Sequence, residues 1–324
     1  MASRRDVLRM AALTAAGAAT QTIVLPSAVA QTLPTTSVSP PQRTGRIAHL
    51  TDVHVQPERG AEAGFAACLQ HVQTFAKPDL ILFGGDNVFN VSDTDAARTA
   101  VQRAGWQRVL KAELSTPHRS AIGNHDIPQM KKLEADKANE DAAKAWPCEQ
   151  FGLDQRYYAF DQFGWRILVL DSVRVGGAHG YAGRLDETQF AWLKDQLDAA
   201  ATARVPVLVM SHIPIVCVVG MFDGGRTTTG DWDIPRSYVH IDAVRLHDLF
   251  VASGVVKLCI SGHAHQVDHC LFDGVTYACN GAVCGNWWKG VYHHSDSGYA
   301  TIDLFDDGLF DVRYHTYGWT ARPM

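Results

Sequence analysis

Five short polar segments decide the fold of this chain: Asp52-Val53-His54, Gly84-Gly85-Asp86-Asn87, Gly123-Asn124-His125-Asp126, Ser211-His212 and Gly262-His263-Ala264-His265. Each segment follows a short apolar run of the kind that forms a buried strand. In an open α/β sheet, ligands bind outside the carboxyl ends of the strands. The sequence therefore predicts that Asp, His and Asn side chains from five strand ends come together in one place.

The residues between these segments alternate between strand and helix patterns. Strands are expected near 46–51, 79–85 and 119–122, with helices near 61–76 and 94–112 between them, and this spacing indicates parallel strands. The rest of the chain is expected to form a hairpin at 157–170, helices at 186–200 and 239–252, strands at 206–211 and 255–261, and hairpins at 266–280 and 298–315, with an irregular stretch at 214–237. The order predicts an α/β fold of four layers, an α/β/β/α sandwich of two mixed sheets flanked by helices, with the metal site at the C-terminal ends of the strands.

The charge of the chain excludes some classes of partner. The 324 residues carry a formal net charge of −5, and removing the first thirty residues, with Arg4, Arg5, Arg9 and Asp6, leaves about −7. An acidic chain without a basic run is a poor binder of nucleic-acid polymers or of anionic membrane surfaces. We therefore expect a small-molecule substrate. The oligomeric state stays open.

The N-terminus has the pattern of an export signal. Arg4 and Arg5 precede a weakly apolar, Ala-rich stretch that is a poor membrane span, and Ala28-Val29-Ala30 provides small residues for cleavage. Residues 1–30 thus resemble a twin-arginine signal peptide, 31–44 a linker, and 45–324 a single domain. The resemblance implies export of the folded protein by the twin-arginine machinery to the periplasm or the medium, without a stable membrane anchor. The alternative is a basic N-terminal helix.

The seven cysteines provide no structural zinc site, because none has Cys-x-x-Cys spacing. An odd number cannot pair completely within one chain. Four of them lie between Cys259 and Cys284, where a disulfide is an alternative. We expect buried free thiols, since cysteine packs well as a small apolar residue.

The five polar segments suit the hydrolysis of a phosphate ester. Two metal ions can clamp the attacking and leaving oxygens of an in-line displacement, and a carboxylate can bridge them. Imidazole and carboxylate ligands suit Fe, Mn and Zn ions, and the sequence does not choose among these metals. His49 lies inside the first strand rather than after it, and we expect it to be a core histidine.

The motifs Asp-x-His, Gly-Asp, Gly-Asn-His-Asp, a lone His and Gly-His-x-His, in this order over about residues 46–265, resemble those of the calcineurin-like metallophosphoesterases. The resemblance implies two divalent or trivalent transition metal ions. Asp52, His54 and His265 would bind one ion, Asn124, His212 and His263 would bind the other, and Asp86 would bridge both.

The same resemblance implies a mechanism. A metal-bridging hydroxide would attack phosphorus in line with the leaving oxygen. His125 would contact the phosphate and donate a proton to the leaving group. Asp126 would lie behind His125 and orient its ring, as carboxylates often do around metal sites.

This chain departs from related proteins at two positions, and the first departure leaves its exact subfamily open. Bacterial class III cyclic nucleotide phosphodiesterases and glycerophosphodiesterases, which the motif order resembles, often carry His-His-Pro-Pro where this chain has Ser211-His212-Ile213-Pro214. Purple acid phosphatases carry an iron-binding tyrosine three residues after the bridging aspartate, where this chain has Phe89. Phenylalanine cannot bind iron, so we expect a holoprotein without the purple chromophore.

Loops after the strands are expected to select the substrate. Arg226 and Lys289 could meet a phosphate, and Trp287 could stack on a base or sugar; alternatively, the tryptophan covers a sheet edge and the cations are solvated. The favoured function is hydrolysis of phosphodiesters or phosphomonoesters of small-molecule or nucleotide type. One alternative is a non-catalytic binding scaffold with the same fold. Another is a hydrolase of phosphorus–sulfur, phosphorus–nitrogen or pyrophosphate bonds.

Overall fold

A computed structural model of the chain describes residues 40–133, 139–176, 179–223, 225–226 and 228–321. Apart from Pro40, these residues belong to one compact unit, Pro41–Met324. Residues 1–39, which include the expected signal peptide and most of the expected linker, lie outside the described residues. Within the described residues, no helix is both long and apolar enough to cross a membrane.

The elements follow the alternation that the sequence predicts. The strands are β1 (Arg43–Leu50), β2 (Leu80–Phe83), β3 (His118–Ser120), β4 (Tyr158–Gln162), β5 (Trp165–Leu170), β6 (Val173–Val175), β7 (Tyr181–Gly183), β8 (Val207–Ser211), β9 (Gly225–Arg226), β10 (Trp232–Asp233), β11 (Val256–Ser261), β12 (Asp268–Phe272), β13 (Val275–Cys279), β14 (Gly298–Phe305) and β15 (Phe310–Thr316). The helices are α1 (Ala61–His71), α2 (Ala96–Glu113), α3 (Met130–Leu133), α4 (Glu140–Phe151), α5 (Glu187–Ala203), α6 (Val219–Asp223) and α7 (Ala243–Ser253).

Two large mixed sheets form the centre of the fold. The first has the strand order β15-β14-β1-β2-β3, and the second has the order β12-β13-β11-β8-β5-β4. In the first sheet β1, β2 and β3 are parallel, while β14 runs antiparallel to both β1 and β15. In the second sheet β5, β8, β11 and β13 are parallel, and an antiparallel strand closes each edge.

The alternation of side chains along the strands produces the four layers. Ile47 and Leu82 of the first sheet pack with Leu208 and Ile260 of the second sheet in a core between the sheets. Residues of the opposite pleat, such as Phe83, pack instead against α1 and α2 on one outer face. A third core joins the other face of the second sheet to α5 and α7. The predicted α/β/β/α sandwich of two mixed sheets is therefore confirmed.

Local signals explain where several helices begin. The side chain of Asp95 caps α2 by accepting a hydrogen bond from the backbone of Arg98, and Asp186 caps α5 in the same way through Gln189. The predicted helix at 239–252 begins later, at Ala243. The residues before it are tied elsewhere, because the backbone N–H of His240 donates to Pro214.

Sequence patterns did not indicate the elements between β3 and β4. The helix α4 contains Pro147, and proline is read as a helix breaker because it removes a backbone donor. The small hairpin of β6 and β7 also went unrecognised; its strands have three residues each. With α3, these elements form a satellite core around Ile122, Ile127 and Ile213, directly beside the polar segments.

Candidate metal centre

The five polar segments meet at the carboxyl ends of the parallel strands. Backbone hydrogen bonds join the first to the second, through Asp52 N to Gly85 O at 3.0 Å and His54 N to Asp86 O at 2.9 Å. Another bond, from Gly262 N to His212 O at 3.1 Å, joins the last two segments. The backbone N–H of His263 donates to Asp52, and that of His125 donates to Asp86, both at 2.8 Å, so the five segments form one continuous floor across both sheets.

The backbone turns sharply at the residues that point into this floor. Five of the seven predicted ligands have positive φ angles between 48° and 68°, namely Asp52, His54, Asp86, His263 and His265. Non-glycine residues seldom adopt this left-handed conformation, and such strain is concentrated at functional sites. The turns redirect side chains from the strand direction toward a common centre.

Two motif glycines allow the segments to approach each other. A Cβ on Gly123 would lie 2.1 Å from Oδ1 of Asp86, and a Cβ on Gly262 would lie 1.9 Å from Oγ1 of Thr51. Neither Asp86 nor Thr51 can move aside without displacing a buried carboxylate, since Thr51 bonds to Asp52. The glycines in Gly-Asn-His-Asp and Gly-His-x-His are therefore explained by close packing of the segments.

Backbone carbonyls fix the orientation of the four histidine rings. Nδ1 donates to a carbonyl in His54 (Phe89, 3.1 Å), His212 (Gly84, 2.9 Å) and His265 (Gly285, 2.6 Å). In His263 it is Nε2 that donates, to Ser237 at 2.8 Å. A carbonyl can only accept, so the other nitrogen of each neutral ring keeps its lone pair. Such carbonyl contacts commonly orient metal-binding histidines.

Asp52 and Asp86 each use one carboxylate oxygen for hydrogen bonds within the protein, and the other oxygen faces the centre. Oδ2 of Asp52 accepts from Thr51 Oγ1 at 2.6 Å and from the backbone of His263 at 2.8 Å, whereas its buried Oδ1 has no hydrogen-bond partner among the described residues. Oδ1 of Asp86 accepts from the backbone of His125 at 2.8 Å. An unpartnered buried carboxylate oxygen is costly unless a cation is bound.

The donor atoms form two sets that share Asp86. In the first set, Nε2 of His54 lies 3.2 Å from Nε2 of His265, and Oδ1 of Asp52 lies 3.4 Å from the latter nitrogen. In the second set, Nε2 of His212 lies 3.1 Å from Oδ1 of Asn124, and His263 groups with His212 and Asp86. Oδ2 of Asp86 lies 3.6 Å from His54 Nε2 and 3.3 Å from His212 Nε2.

These donors fit metal ions. Nitrogen atoms at such short mutual distances, beside carboxylate oxygens, satisfy one another poorly without a cation between them. Imidazole, carboxylate and amide donors suit first-row transition metals. The structure therefore brings together all seven side chains that were predicted as ligands, in groups that could hold a metal ion.

The protonation of the histidines follows from burial and neighbouring charge. Burial lowers the pKa of His54 to about 3 and that of His263 to about 4, which keeps both rings neutral. Burial also opposes charge on His212, but the carboxylate of Asp86 outweighs it and raises the pKa of His212 to about 9. An imidazolium cannot bind a metal, so His212 must release a proton when an ion binds.

His125 lies at the edge of the first donor set. Its ring meets the ring of His54 edge to face, with centroids 4.8 Å apart. Its buried Nδ1 has no hydrogen-bond partner among the described residues. The ring is therefore held by packing and remains able to meet a phosphate oxygen or a leaving group.

Asp126 does not orient the ring of His125, and that prediction was wrong. Its Oδ1 accepts from the backbone of Asn87 at 2.9 Å and of Val88 at 3.2 Å, and its Oδ2 accepts from the backbone of Gly123 at 3.0 Å and from Nδ2 of Asn87 at 3.1 Å. The short 3₁₀ turn at Asn124–Asp126 directs this carboxylate toward the second segment. Asp126 therefore fastens two ligand-bearing segments together.

The three predicted substrate residues have different outcomes. The indole ring of Trp287 lies with its centroid 4.4 Å from that of His265 and 5.5 Å from that of Tyr292, so it borders the first donor set. Lys289 is exposed on the same loop. Arg226 lies in β9, and its side chain lies outside what the structure describes.

Residues that sequence reasoning did not single out also shape the centre. Nε1 of the buried Trp288 donates to the carbonyls of Val53 and His54, both at 3.0 Å. The thiol of Cys284 groups with His54 and His265 among the atoms that could hold a metal. The sequence indicated this loop through Trp287 and Lys289, but no sequence pattern indicated that Trp288 bonds to the first polar segment.

Three further predictions concern the cysteines, His49 and Phe89. All seven cysteines lie in described residues as free thiols, five of them buried, as predicted. His49 is buried within β1 and pairs through Nδ1 with Asn280 at 2.8 Å, which places it in the core. The ring of Phe89 lies 6.2 Å from that of His54 and offers no metal ligand.

Sequence comparison finds relatives of this chain among known proteins. A probable cyclic nucleotide phosphodiesterase from Synechococcus sp. (strain WH7803) is 27% identical over 233 residues, which are 68% of this chain and 74% of that protein. Probable inactive purple acid phosphatase 28 from Arabidopsis thaliana is 27% identical over 236 residues, which are 60% of this chain; the match spans only 55% of the plant protein.

A solved structure and a family model identify the fold and the family. The crystal structure of a dimetal phosphatase from Danio rerio superposes with a TM-score of 0.59 at 15% identity, over 85% of this chain and 97% of that chain, which shows a shared fold. The model of the calcineurin-like phosphoesterase family matches residues 45–267. Since this match covers well over half of the 324 residues, the chain belongs to the calcineurin-like phosphoesterase family.

Proposed function

We propose that this protein hydrolyses phosphodiesters or phosphomonoesters of small molecules, including nucleotides, with two transition metal ions of the Fe, Mn or Zn type. The observation that carries the proposal is the pair of donor sets that share Asp86. Each set combines imidazole nitrogen with a carboxylate or amide oxygen, and both face one space at the strand ends. His125 stands beside that space.

In the proposed mechanism the metal ions stabilise the negative charge of the phosphate, and the protein supplies the proton for the leaving group. Bound metal ions would lower the pKa of a water molecule and neutralise the phosphate. The water would release one proton to the solvent, and its oxygen would then form a bond to phosphorus while the bond from phosphorus to the alcohol oxygen breaks. The electron pair goes to the alcohol oxygen, which takes a proton from His125. Residues Asp52, His54 and His265 would hold one ion, and Asn124, His212 and His263 the other.

A non-catalytic scaffold is the second candidate, because one relative is named a probable inactive phosphatase. A scaffold has no need of seven converging donors or of a histidine with a free ring nitrogen beside them. The complete donor set of this chain supports the enzyme.

We further propose that the twin-arginine signal directs the protein to the periplasm or the medium.

The test is metal content together with ester hydrolysis. We expect two metal ions per chain in the purified wild type, and hydrolysis of bis-p-nitrophenyl phosphate, p-nitrophenyl phosphate or both with Mn, Zn or Fe supplied. In Asp86→Ala we expect loss of metal and a fall in activity of at least about 100-fold, since even residues that only support ligands contribute 10–100-fold.

The control for Asp86→Ala is Asp198→Ala. It removes the same side chain from the exposed face of α5, where the carboxylate pairs only with Lys194 among the described ion pairs. Wild-type metal content and activity are expected there. A metal-free wild type that hydrolyses neither ester would favour the scaffold.

A further inference from the structure

A half-buried tyrosine lies beside the metal centre on the small hairpin of β6 and β7. Tyr181 begins β7, and it lines a cavity of about 280 Å³ together with Asn124 and His125. Asn124 is one of the seven predicted metal ligands, and His125 is the predicted proton donor. A cavity of this volume is at the lower end of the range for small-molecule pockets. A phosphate group that meets His125 is therefore within reach of Tyr181.

Tyr181 and His125 border different donor sets. The ring of Tyr181 meets the ring of His263 edge to face, with centroids 5.8 Å apart. The ring of His125 meets the ring of His54 in the same manner, at 4.8 Å. His263 belongs to the second donor set and His54 to the first. A phosphate group that spans the two sets therefore has one of these two side chains beside each set.

The hydroxyl of Tyr181 differs from those of five other tyrosines. Each of these five makes a hydrogen bond within the protein: Tyr158, Tyr277, Tyr299, Tyr314 and Tyr317. Within the part of the chain that the structure describes, the hydroxyl of Tyr181 makes none. Tyrosine hydroxyls usually find a partner when the ring is buried, and a phenol can donate to an oxygen without carrying charge. The hydroxyl of Tyr181 is therefore available to a ligand.

The strand that carries Tyr181 is fixed relative to the second donor set. The backbone N–H of Gly183 donates to the carbonyl of Arg236 at 3.0 Å. The next residue, Ser237, accepts the hydrogen bond that orients the ring of His263. The ring of Tyr181 also packs against the satellite core beside the polar segments. A donor that is held in place before the substrate binds needs no reorganisation during the reaction.

We propose that Tyr181 is a further catalytic residue, whose hydroxyl donates a hydrogen bond to a non-bridging oxygen of the phosphate group and stabilises its negative charge in the transition state. The inference rests on the proposed phosphoesterase function and adds a donor from the protein to it. The phenol keeps its proton throughout, whereas His125 gives a proton to the leaving oxygen. The hydroxyl meets the phosphate rather than the alcohol, because His125, on the leaving side, borders the other donor set.

The variant Tyr181→Phe tests this assignment, because it removes the hydroxyl and keeps the ring. We expect kcat/KM to fall by at least about tenfold, since a hydrogen bond to a charged group contributes that much. The fall should be equal for p-nitrophenyl phosphate and ethyl phosphate, because the phosphate group is common to both. Bis-p-nitrophenyl phosphate and diethyl phosphate are measured in parallel, so that an enzyme restricted to diesters is also covered. Metal content and stability should equal those of the wild type.

Binding of inorganic phosphate provides a second measurement that does not depend on turnover. In calorimetric titrations of metal-loaded protein, we expect the Kd for phosphate to rise about tenfold in Tyr181→Phe. The matched control is Tyr157→Phe, which removes a hydroxyl from a half-buried tyrosine that packs on Trp192 of α5. Both kcat/KM and the Kd for phosphate should be unchanged in this control.

The outcomes separate this inference from the proposed function. A Tyr181→Phe variant that hydrolyses esters and binds phosphate like the wild type overturns the assignment and leaves the phosphoesterase intact. A loss confined to the ethyl esters also overturns it, because the hydroxyl would then meet the leaving alcohol. Equal losses in Tyr181→Phe and Tyr157→Phe overturn it as well. If the metal-loaded wild type cleaves none of the four esters, the proposed function fails and this inference fails with it.

Discussion

Hydrogen bonds around the single carboxylates decide what each aspartate does. Asp52 and Asp86 each give one oxygen to backbone or hydroxyl donors and turn the other toward the centre. Asp126 gives both oxygens to the protein. Burial and the neighbouring charge of Asp86 raise the pKa of Asp126 to about 7, against the effect of its backbone donors. Three aspartates in similar motifs thus have two different roles.

Replacing Asp126 tests whether its carboxylate holds the second and third polar segments together. Asp126→Ala leaves the buried backbone donors of Asn87, Val88 and Gly123 without their acceptor, so we expect the free energy of unfolding to fall by about 3 kcal/mol or more. Urea denaturation measures this change. If the Asp126→Ala variant kept its stability and changed only the pH–rate profile, the stabilising role would be wrong and Asp126 would instead orient His125.

Replacing His125 tests its role as proton donor. We expect His125→Ala to keep the wild-type metal content and to lose about 10²–10⁴-fold in kcat for an alkyl phosphate ester. The loss should be much smaller for a p-nitrophenyl ester, whose leaving group needs no proton. Steady-state kinetics on both esters measures this difference, with His269→Ala on the exposed face of β12 as control. Equal losses on the two esters would contradict the assignment.

At the scale of elements, one loop braces the first donor set. Residues after β13 bond to the first polar segment through Val283 N to Thr51 O at 2.9 Å and Cys284 N to Asp52 O at 3.3 Å. The indole of Trp288 adds two more bonds and fills the space above Gly64, where a Cβ would lie 2.2 Å from its ring. The segment that contributes Asp52 and His54 is therefore held by a loop from the far end of the sequence.

Trp288→Phe removes the indole donor and keeps an aromatic ring. Two buried carbonyls lose their partner, so we expect the free energy of unfolding to fall by about 1–3 kcal/mol, together with weaker binding of metal. Urea denaturation and metal titration measure the two effects. Trp192→Phe, at a half-buried position of α5 that packs on Tyr157, is the control. A Trp288 variant that behaved like this control would show that the brace is unnecessary.

An ion pair joins the neighbouring strands β1 and β14 inside the first sheet. Nε and Nη2 of Arg46 each lie 2.6 Å from an oxygen of Asp303. Partial burial acts to raise the pKa of Asp303, but the bonds from Arg46 outweigh it and lower the pKa below its ordinary value of 3.8. A lowered pKa in the folded state stabilises the fold above the unfolded-state value, and this stabilisation is lost as the pH falls through the folded-state value.

Asp303→Asn should therefore destabilise the protein in a pH-dependent way. We expect a loss of about 0.5–1 kcal/mol at pH 7, since solvent screens a pair at the surface. The difference from wild type should shrink as the pH falls below about 4. Denaturant unfolding at several pH values measures it, with Asp311→Asn, at an exposed pair with Arg313, as control. A difference independent of pH would exclude the ion pair as its cause.

At the scale of the whole molecule, two sheets share one inner core and present their strand ends on the same side. β1, β2 and β3 of one sheet provide Asp52, Asp86 and Asn124, while β8 and β11 of the other provide His212 and His263. Neither sheet alone has a complete donor set. The packing of the sheets therefore determines the separation of the two donor sets.

The proposed twin-arginine signal would act on the whole molecule as well. Replacing Arg4 and Arg5 by lysine should retain the protein in the cytoplasm, because the twin arginine is read as an export address. Cell fractionation with antibody detection measures the distribution, and Arg9→Lys serves as control. Export of the double variant at the wild-type level would refute the proposed route.

The sequence by itself determined the four layers and indicated the seven side chains that converge at the strand ends. Both depend on local patterns: apolar runs define the strands, their length and order define parallel crossovers, and parallel strands place the following residues at one edge. Sequence patterns did not indicate the helix α4, because its internal Pro147 is normally read as a helix breaker. They were silent on α3 and on the short hairpin of β6 and β7.

Only the tertiary structure decided how these side chains are used. The bond from Trp288 to the carbonyl of His54 joins residues 234 positions apart, and the carboxylate of Asp126 bonds to a segment 39 positions before it. Hydrogen bonds to such distant partners depend on how the sheets and loops pack. A motif specifies that an aspartate is present, and the packing around it decides whether its oxygens meet a metal ion or the backbone.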